Sequence, residues 1–285
     1  MGQRNFVFLI LLLITTIGCD NNEVHKPQSR PDGIVSLSPA ATDLLVHLGL
    51  YDRIVGVSSY EANASLKSRL PVVGDYQRID WETLVVIRPR YLIVQGRSDR
   101  MPPGLSERCQ SLGIQLIDIQ IDRLDDILMM LVRLAQALGV EQTGLNAARK
   151  VQIQMDTVIP SGKIPALILL NESGKFSAGK QTFLDDLLTR AGGENVITTS
   201  GYPTLDREFL ATLAPQIVFV LLPGADDKTV DQARQMVDQI RFSGQSKKTR
   251  IRVIRRPDVL LPSCTNAIQL FREMSDEIRE KGLQK

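Results

Sequence analysis

The sequence predicts an α/β protein of two lobes, each built on a mainly parallel sheet and bridged by a single long helix. Short β-branched runs alternate with helical patterns from Gly33 onward, the arrangement expected of successive βαβ units. The alternation breaks once, at a helical stretch over 143–158 that no strand interrupts, and then resumes. A motif of the first series also returns in the second, 126 residues further along, so the two series share a design.

In the first series, Ile34, Val35, Ser36 and Leu37 read as a strand, 41–48 as a helix, and Ile54, Val55, Gly56 and Val57 as a second strand. A helix over 81–87, a strand over 91–94, a helix over 105–112 and a strand over 115–119 follow, and a helix over 124–138 closes the lobe. The strands are short enough for buried positions in a sheet covered on both faces. The stretch 143–158 is rich in Ala, Arg, Lys, Gln and Met and would extend about 24 Å at 1.5 Å per residue, enough to run between lobes. Pro160, Gly162 and Pro165 end it. The second series reads as strand 166–170, helix 182–191, a strand around Val196, helix 207–213, strand 217–222, helix 231–240, strand 251–254 and a terminal helix over 266–281. The chain thereby divides into a first lobe at 33–140, an interlobe helix at 141–160 and a second lobe at 161–285.

The repeat is specific in its order. Asp80, Trp81, Glu82, Thr83 and Leu84, then Pro89, then Leu92, Ile93 and Val94 recur as Asp206, Arg207, Glu208, Phe209 and Leu210, then Pro215, then Val218, Phe219 and Val220. In each copy an acidic N-cap opens a helix, a glutamate sits in its first turn, and proline punctuates the passage into a strand. A second echo pairs Asp43, Leu44, Leu45 and Gly49 with Asp186, Leu187, Leu188 and Gly192.

The N-terminus has a different character. Arg4 is the one cation before an uninterrupted apolar run over 6–14, which is too short for a membrane span of about 20 residues but suits the hydrophobic region of a secretory signal peptide over 1–18. The polar, proline-containing stretch that follows buries too little to offset its ordering entropy and reads as a flexible tether over 19–32. Composition narrows the function classes. Thirty-four basic residues against 32 acidic ones leave a formal charge of +2, too balanced for the broad positive field of a nucleic-acid binder. Two histidines and three cysteines are little material for a metal centre, so no metal ligands are expected, and His47 reads as a packed or rim residue. G-x-S-x-G, H-E-x-x-H, G-x-G-x-x-G and G-x-x-x-x-G-K-[ST] are all missing, and no catalytic residues are expected.

Gly18 before Cys19 resembles a bacterial lipobox, which implies lipidation of Cys19 and a membrane-anchored protein facing the periplasm or cell exterior. Asp20 resembles the signal that retains some Gram-negative lipoproteins at the inner membrane. The segments 34–39 (IVSLSP), 41–57, Val73 with Gly74, 80–94 and 183–196 (FLDDLLTRAGGENV) resemble the periplasmic substrate-binding proteins of cobalamin, haem and iron-siderophore ABC importers. That resemblance implies the class III periplasmic binding protein fold, two Rossmann-like lobes with a ligand cleft between them. It further implies a monomer without resident cofactor that delivers its cargo to a permease dimer and its ATPase subunits, the cargo itself being a metal complex such as cobalamin, haem or a ferric siderophore. A lipoprotein that senses a ligand and signals to a membrane receptor is the alternative.

Family positions imply a cleft lined by Ser38, Pro39, Tyr60, Tyr76, Arg97, Phe176 and Tyr202, and permease docking through Glu82 and Glu208, one on each lobe. The first of these agree with the rule that ligands of open α/β sheets lie beyond the carboxyl ends of strands. Aromatic walls give large contact area at little rotamer cost. Tryptophan-rich cobalamin clefts are not matched here, because the single tryptophan, Trp81, falls in the helix motif. Arg97, Arg255 and Arg256 are candidates for holding an anionic chelate instead. Cys109 and Cys264 fall in different lobes, so two free thiols are expected.

Overall fold

Four parallel strands, Ile34–Ser36 (β1), Ile54–Val57 (β2), Tyr91–Gln95 (β3) and Gln115–Ile119 (β4), form one sheet in the order β2-β1-β3-β4. Ile164–Leu169 (β5), Gly193–Asn195 (β6), Ile217–Leu221 (β7) and Arg250–Ile254 (β8) form a second parallel sheet in the corresponding order β6-β5-β7-β8. The computed structural model describes residues 32–75, 77–96, 101–156, 163–243 and 249–282. Parallel neighbours require crossovers, and helices supply them. Pro39–His47 (α1), Ala64–Arg69 (α2), Trp81–Ile87 (α3), Leu105–Ser111 (α4) and Leu124–Ala137 (α5) belong to the first series. Glu141–Asp156 (α6) leads to the second, which carries Phe183–Arg190 (α7), Arg207–Thr212 (α8), Asp227–Asp238 (α9) and Cys264–Gly282 (α10).

The period-two alternation of each strand sorts the apolar side chains into layers. On the outer face of the first sheet, Val35, Leu92 and Val94 pack with Leu84 and Ile87 of α3 and Leu105 and Cys109 of α4. On the outer face of the second, Leu167, Val218 and Val220 pack with Leu210 of α8 and Val237 of α9. The inner faces share a single cluster: Ile34 and Ile93 from one sheet and Ile168 and Phe219 from the other join through α1, α5, α6, α7 and α10. The two sheets thus stand on one continuous buried core.

Two polar contacts cross the seam in mirrored fashion. Asp43 of α1 accepts a hydrogen bond from the Thr265 backbone N–H in the first turn of α10, at 3.2 Å. Asp186 of α7 accepts from the Leu124 N–H at the start of α5, at 3.0 Å, and from Arg123 Nε at 2.8 Å. These are the two aspartates of the second sequence echo, each satisfying a helix N-terminus of the other series.

Several boundaries differ from the sequence expectation. α9 starts at Asp227 rather than at 231 because Asp226 accepts from Thr229 N at 2.9 Å and caps the helix there. α2 was not anticipated: of its six residues only Leu66 is buried, so no apolar period marks it, and Asn63 caps it. The bridging helix begins at Glu141 rather than 143. Asp32 does not belong to a free tether, since its carboxylate meets Arg53 at 3.0 Å. The signal-peptide reading of 1–18 and the lipidation reading of Cys19 lie outside the described residues. Cys109 and Cys264 are both buried free thiols, as expected.

α6 approaches α5 so closely at Gly144 that an added Cβ would lie 2.3 Å from Ala135 Cβ and 3.1 Å from the Leu131 carbonyl oxygen. Gly144→Ala gains about 1 kcal/mol in helix propensity but meets backbone-fixed atoms, and overpacking of this kind costs about 1–3 kcal/mol. Urea unfolding should show a net destabilisation of up to about 2 kcal/mol; a more stable variant would mean that the two helices separate freely.

Candidate functional site

The loops that follow β4 of the first sheet and β5, β6 and β8 of the second meet at one place. A cavity of about 490 Å³ is lined there by Ile121 and Asp122, which follow β4, by Gln181 and Thr182 ahead of α7, by Tyr202 between β6 and α8, and by Pro262 ahead of α10. The first series supplies one wall and the second series the others.

The second-series wall is a braced loop. Gly179 N donates to Gly201 O and Lys180 N to Thr199 O, both at 2.8 Å, so the segments 179–180 and 199–201 lie side by side. Only glycine fits at 179, where a Cβ would sit 2.0 Å from the Thr199 carbonyl oxygen. Beneath them Asn195 Nδ2 donates to Ala178 O at 2.9 Å and to the buried Asp185 carboxylate at 3.1 Å. Thr182 then caps α7, accepting from Asp185 N at 3.2 Å. Between loop and cap the chain turns through Gln181, whose φ of 61° is left-handed. Such a non-glycine residue carries strain of order 1–3 kcal/mol, and this one lines the cavity.

Tyr202 and Asp122 face one another across the two series. Tyr202 is 53% exposed as a residue, yet desolvation by the groups packed around it, and secondarily the Asp122 carboxylate, push its phenol above its ordinary value, so the hydroxyl stays protonated and able to donate.

Of the residues expected in the cleft, Tyr202 lines this cavity. Ser38 is 3% exposed, and its hydroxyl is committed within the turn: it accepts from Ala41 N at 3.3 Å and donates to Gln95 Oε1 at 2.5 Å. Pro39 is the first residue of α1 and partly buried. Together they build the turn after β1 and do not line the cavity. Tyr60, 72% exposed after β2, and Phe176, 48% exposed in the loop after β5, stand at the carboxyl-end edge of each sheet without reaching its lining. Tyr76 and Arg97 lie outside the described residues. Arg256 is taken up by Asp258 at 2.7 Å, Glu273 at 3.0 Å and Asn266 at 2.9 Å, and Arg255 by Asp227, so neither guanidinium is held for an anion. Asp122, Gln181, Thr182 and Pro262 were not singled out from the sequence. The strand-end rule points to Asp122 and Pro262 once it is applied to β4 and β8, and to Gln181 and Thr182 once the loop after β5 is followed to its end at α7.

Glu82 and Glu208 hold matched positions. Each is exposed in the first turn of a helix whose N-cap aspartate accepts from the backbone three residues on, Asp80 from Thr83 N at 3.0 Å and Asp206 from Phe209 N at 2.7 Å. α3 leads into β3 and α8 into β7, equivalent strands of the two sheets.

A family model described as periplasmic binding protein matches residues 34–240. The chain belongs to the periplasmic binding protein family. It is therefore a binding protein and not an enzyme. A vitamin B12-binding protein of Yersinia pestis (strain Pestoides F) is 24% identical over 201 residues, covering 68% of this chain and 71% of the relative. The periplasmic heme binding protein HutB of Vibrio cholerae shares the fold with a TM-score of 0.72 and 24% identity, over 87% of this chain and 98% of that one. An ABC transporter substrate-binding protein from Listeria monocytogenes EGD-e does so with a TM-score of 0.68 and 18% identity, over 86% and 98%. The two sheets with α6 between them are the class III architecture of these periplasmic binding proteins.

In this binding protein, tyrosine titration followed by NMR of ring-labelled material should find Tyr202 ionising above the ordinary tyrosine range. Asp122→Asn should bring it part of the way down, because burial is the larger cause. The raised value also means that stability falls as pH rises past the unfolded-state tyrosine value of about 10, where only the unfolded chain gives up this proton.

Proposed function

We propose that this chain captures a cobalamin-like or iron-chelate ligand between its two lobes and delivers it to an ABC importer permease, working from a lipid anchor at Cys19 on the outer side of the cell membrane. The observation that carries the reading is the cavity at the joined carboxyl ends of both sheets, with a tyrosine on its wall. The proteins it is similar to, named as binding vitamin B12 and heme, support a large, flat, metal-bearing cargo. Tyr202 supplies aromatic contact and Asp122 an acceptor, and Tyr60 and Phe176 form the rim, while Tyr76 and Arg97 keep the ligand role that family positions imply.

Glu82 and Glu208 are the docking points. Two exposed carboxylates on equivalent helices suit a partner of two like subunits that presents a cation to each. Their first-turn position also stabilises each helix by about 0.3–1 kcal/mol through the dipole, and both roles coexist. Among the described residues no helix is long and apolar enough to cross a membrane. Attachment in this reading is through the acylated Cys19, whose chains each add about 0.8 kcal/mol per buried CH₂.

Native mass spectrometry and visible absorbance of the purified chain, after incubation with cobalamin, haem and several ferric siderophores, should yield a one-to-one complex with one of these classes. Tyr202→Ala should weaken that complex about tenfold or more, the usual effect of removing an aromatic anchor. Glu82→Ala combined with Glu208→Ala should abolish cargo uptake by cells while ligand affinity stays within about twofold. Unimpaired uptake in the double variant would favour the sensing lipoprotein instead, and an equal loss of affinity would remove the division of roles.

A further inference from the structure

We propose that Asp43, His47 and Cys264 form a zinc(II) site on the seam between the two lobes, separate from the residues that line the ligand cavity. Asp43 and His47 stand one turn apart on α1, so both project from the same side of the helix. Cys264 is the first residue of α10 and fully buried. One oxygen, one nitrogen and one sulfur donor from these three residues lie within 4.8 Å of one another.

The donor set selects the metal. Mixed carboxylate, imidazole and thiolate ligands suit zinc, whereas magnesium and calcium require oxygen throughout. Zinc bonds of about 2.0–2.3 Å bring bound donors to about 3.3–3.8 Å from one another, so the present spacing closes by about 1 Å through side-chain rotation. Thr265 stands beside the donors: its N–H holds Asp43 Oδ2 at 3.2 Å and its hydroxyl lies 3.1 Å from His47 Nε2, contacts that these two atoms exchange for zinc. A groove of about 400 Å³ between α1 and α6, lined by Val46, His47, Asn146, Lys150 and Gln154 among others, opens onto His47 and gives both an entry path and room for a water as fourth ligand.

The mirrored seam contact supplies the second reason. Asp186, the counterpart of Asp43, is neutralised by Arg123. No lysine or arginine pairs with Asp43 among the described residues; only His47 approaches, at 3.8 Å. The same fold position is thus closed by a guanidinium on one side and by a histidine and a thiol on the other, and a divalent cation supplies the charge that is missing. Without metal, burial and the Asp43 charge keep Cys264 a neutral thiol, well above the usual cysteine range. On binding, zinc takes the sulfur lone pair and the thiol proton leaves to water. The ion with one carboxylate and one thiolate is then electrically neutral. Residue counts give no sign of such a site, because its donors come from α1 and from α10, more than 200 residues apart in the chain.

The test uses the full-length chain in detergent micelles, stripped with a chelator and titrated with zinc. One zinc per chain should bind, with a rise in thermal midpoint. Cys264→Ser and His47→Ala should each weaken binding at least tenfold and remove the rise, while Cys109→Ser retains both. Cobalt(II) in place of zinc should show a thiolate-to-metal charge-transfer band that Cys264→Ser lacks. Equal zinc uptake by the parent and both variants, or a cobalt spectrum without the thiolate band, overturns the site. If Cys264→Ser fails to fold, His47→Ala and the cobalt spectrum of the parent chain decide the matter.

Discussion

Two sheets in one chain form a binding site only if something holds them at a constant angle. In this protein that task falls to carboxylates planted on one lobe and aimed at helix N-termini of the other. The first turn of a helix leaves backbone N–H groups without partners and carries a partial positive charge. Asp43 answers that need for α10, and Asp186 answers it for α5. Both carboxylates are largely shielded, at 17% and 19% exposure, where such contacts reach about 1–2 kcal/mol each. The reciprocity matters more than the magnitude, because each lobe adds an acceptor to a helix N-terminus of the other, beside the local caps that Ser263 gives α10 and Asp126 gives α5. The Asp186 contact falls on Arg123 and Leu124, directly after Asp122 of the cavity wall, so the seam also positions the site.

Because the inner faces of both sheets belong to one apolar cluster, closure around a cargo has little room to be a wide swing. Binding instead falls to the loops at the strand ends, which stand on short caps and backbone pairing. The left-handed Gln181 lies between the braced loop and the cap of α7. It is the point in the described wall where local strain and cavity coincide, and the place where a small backbone adjustment would cost least.

Much of the fold was legible in the sequence. β-branched runs located seven of the strands by position, and the 81–87 helix and the 54–57 and 115–119 strands were read with the bounds they have. The repeat around Asp80 and Asp206 was legible because capping is local chemistry: the aspartate and the N–H it accepts from lie three residues apart. The echo around Asp43 and Asp186 was visible as a pattern, yet its meaning was not, since Asp43 acts on Thr265 and no local signal links them. The site was read least well. Ser38 follows the right strand, but its hydroxyl is taken up by Ala41 and Gln95, a fact that depends on the neighbouring strand β3. Asp122, Gln181 and Pro262 carry no motif at all, and they meet only because the loops after β4, β5 and β8 come to the same place.

The shared inner cluster also governs how the molecule comes apart. A half cut away at α6 would bare the sides of α1 and α5 on one piece and of α7 and α10 on the other, which now pack α1 on α10 and α5 on α7 within the shared cluster. Neither piece has a partner for that surface except its counterpart. The two halves are therefore interdependent in melting and in biogenesis: the first to leave the ribosome keeps its sticky side uncovered until the last helix of the chain has been made.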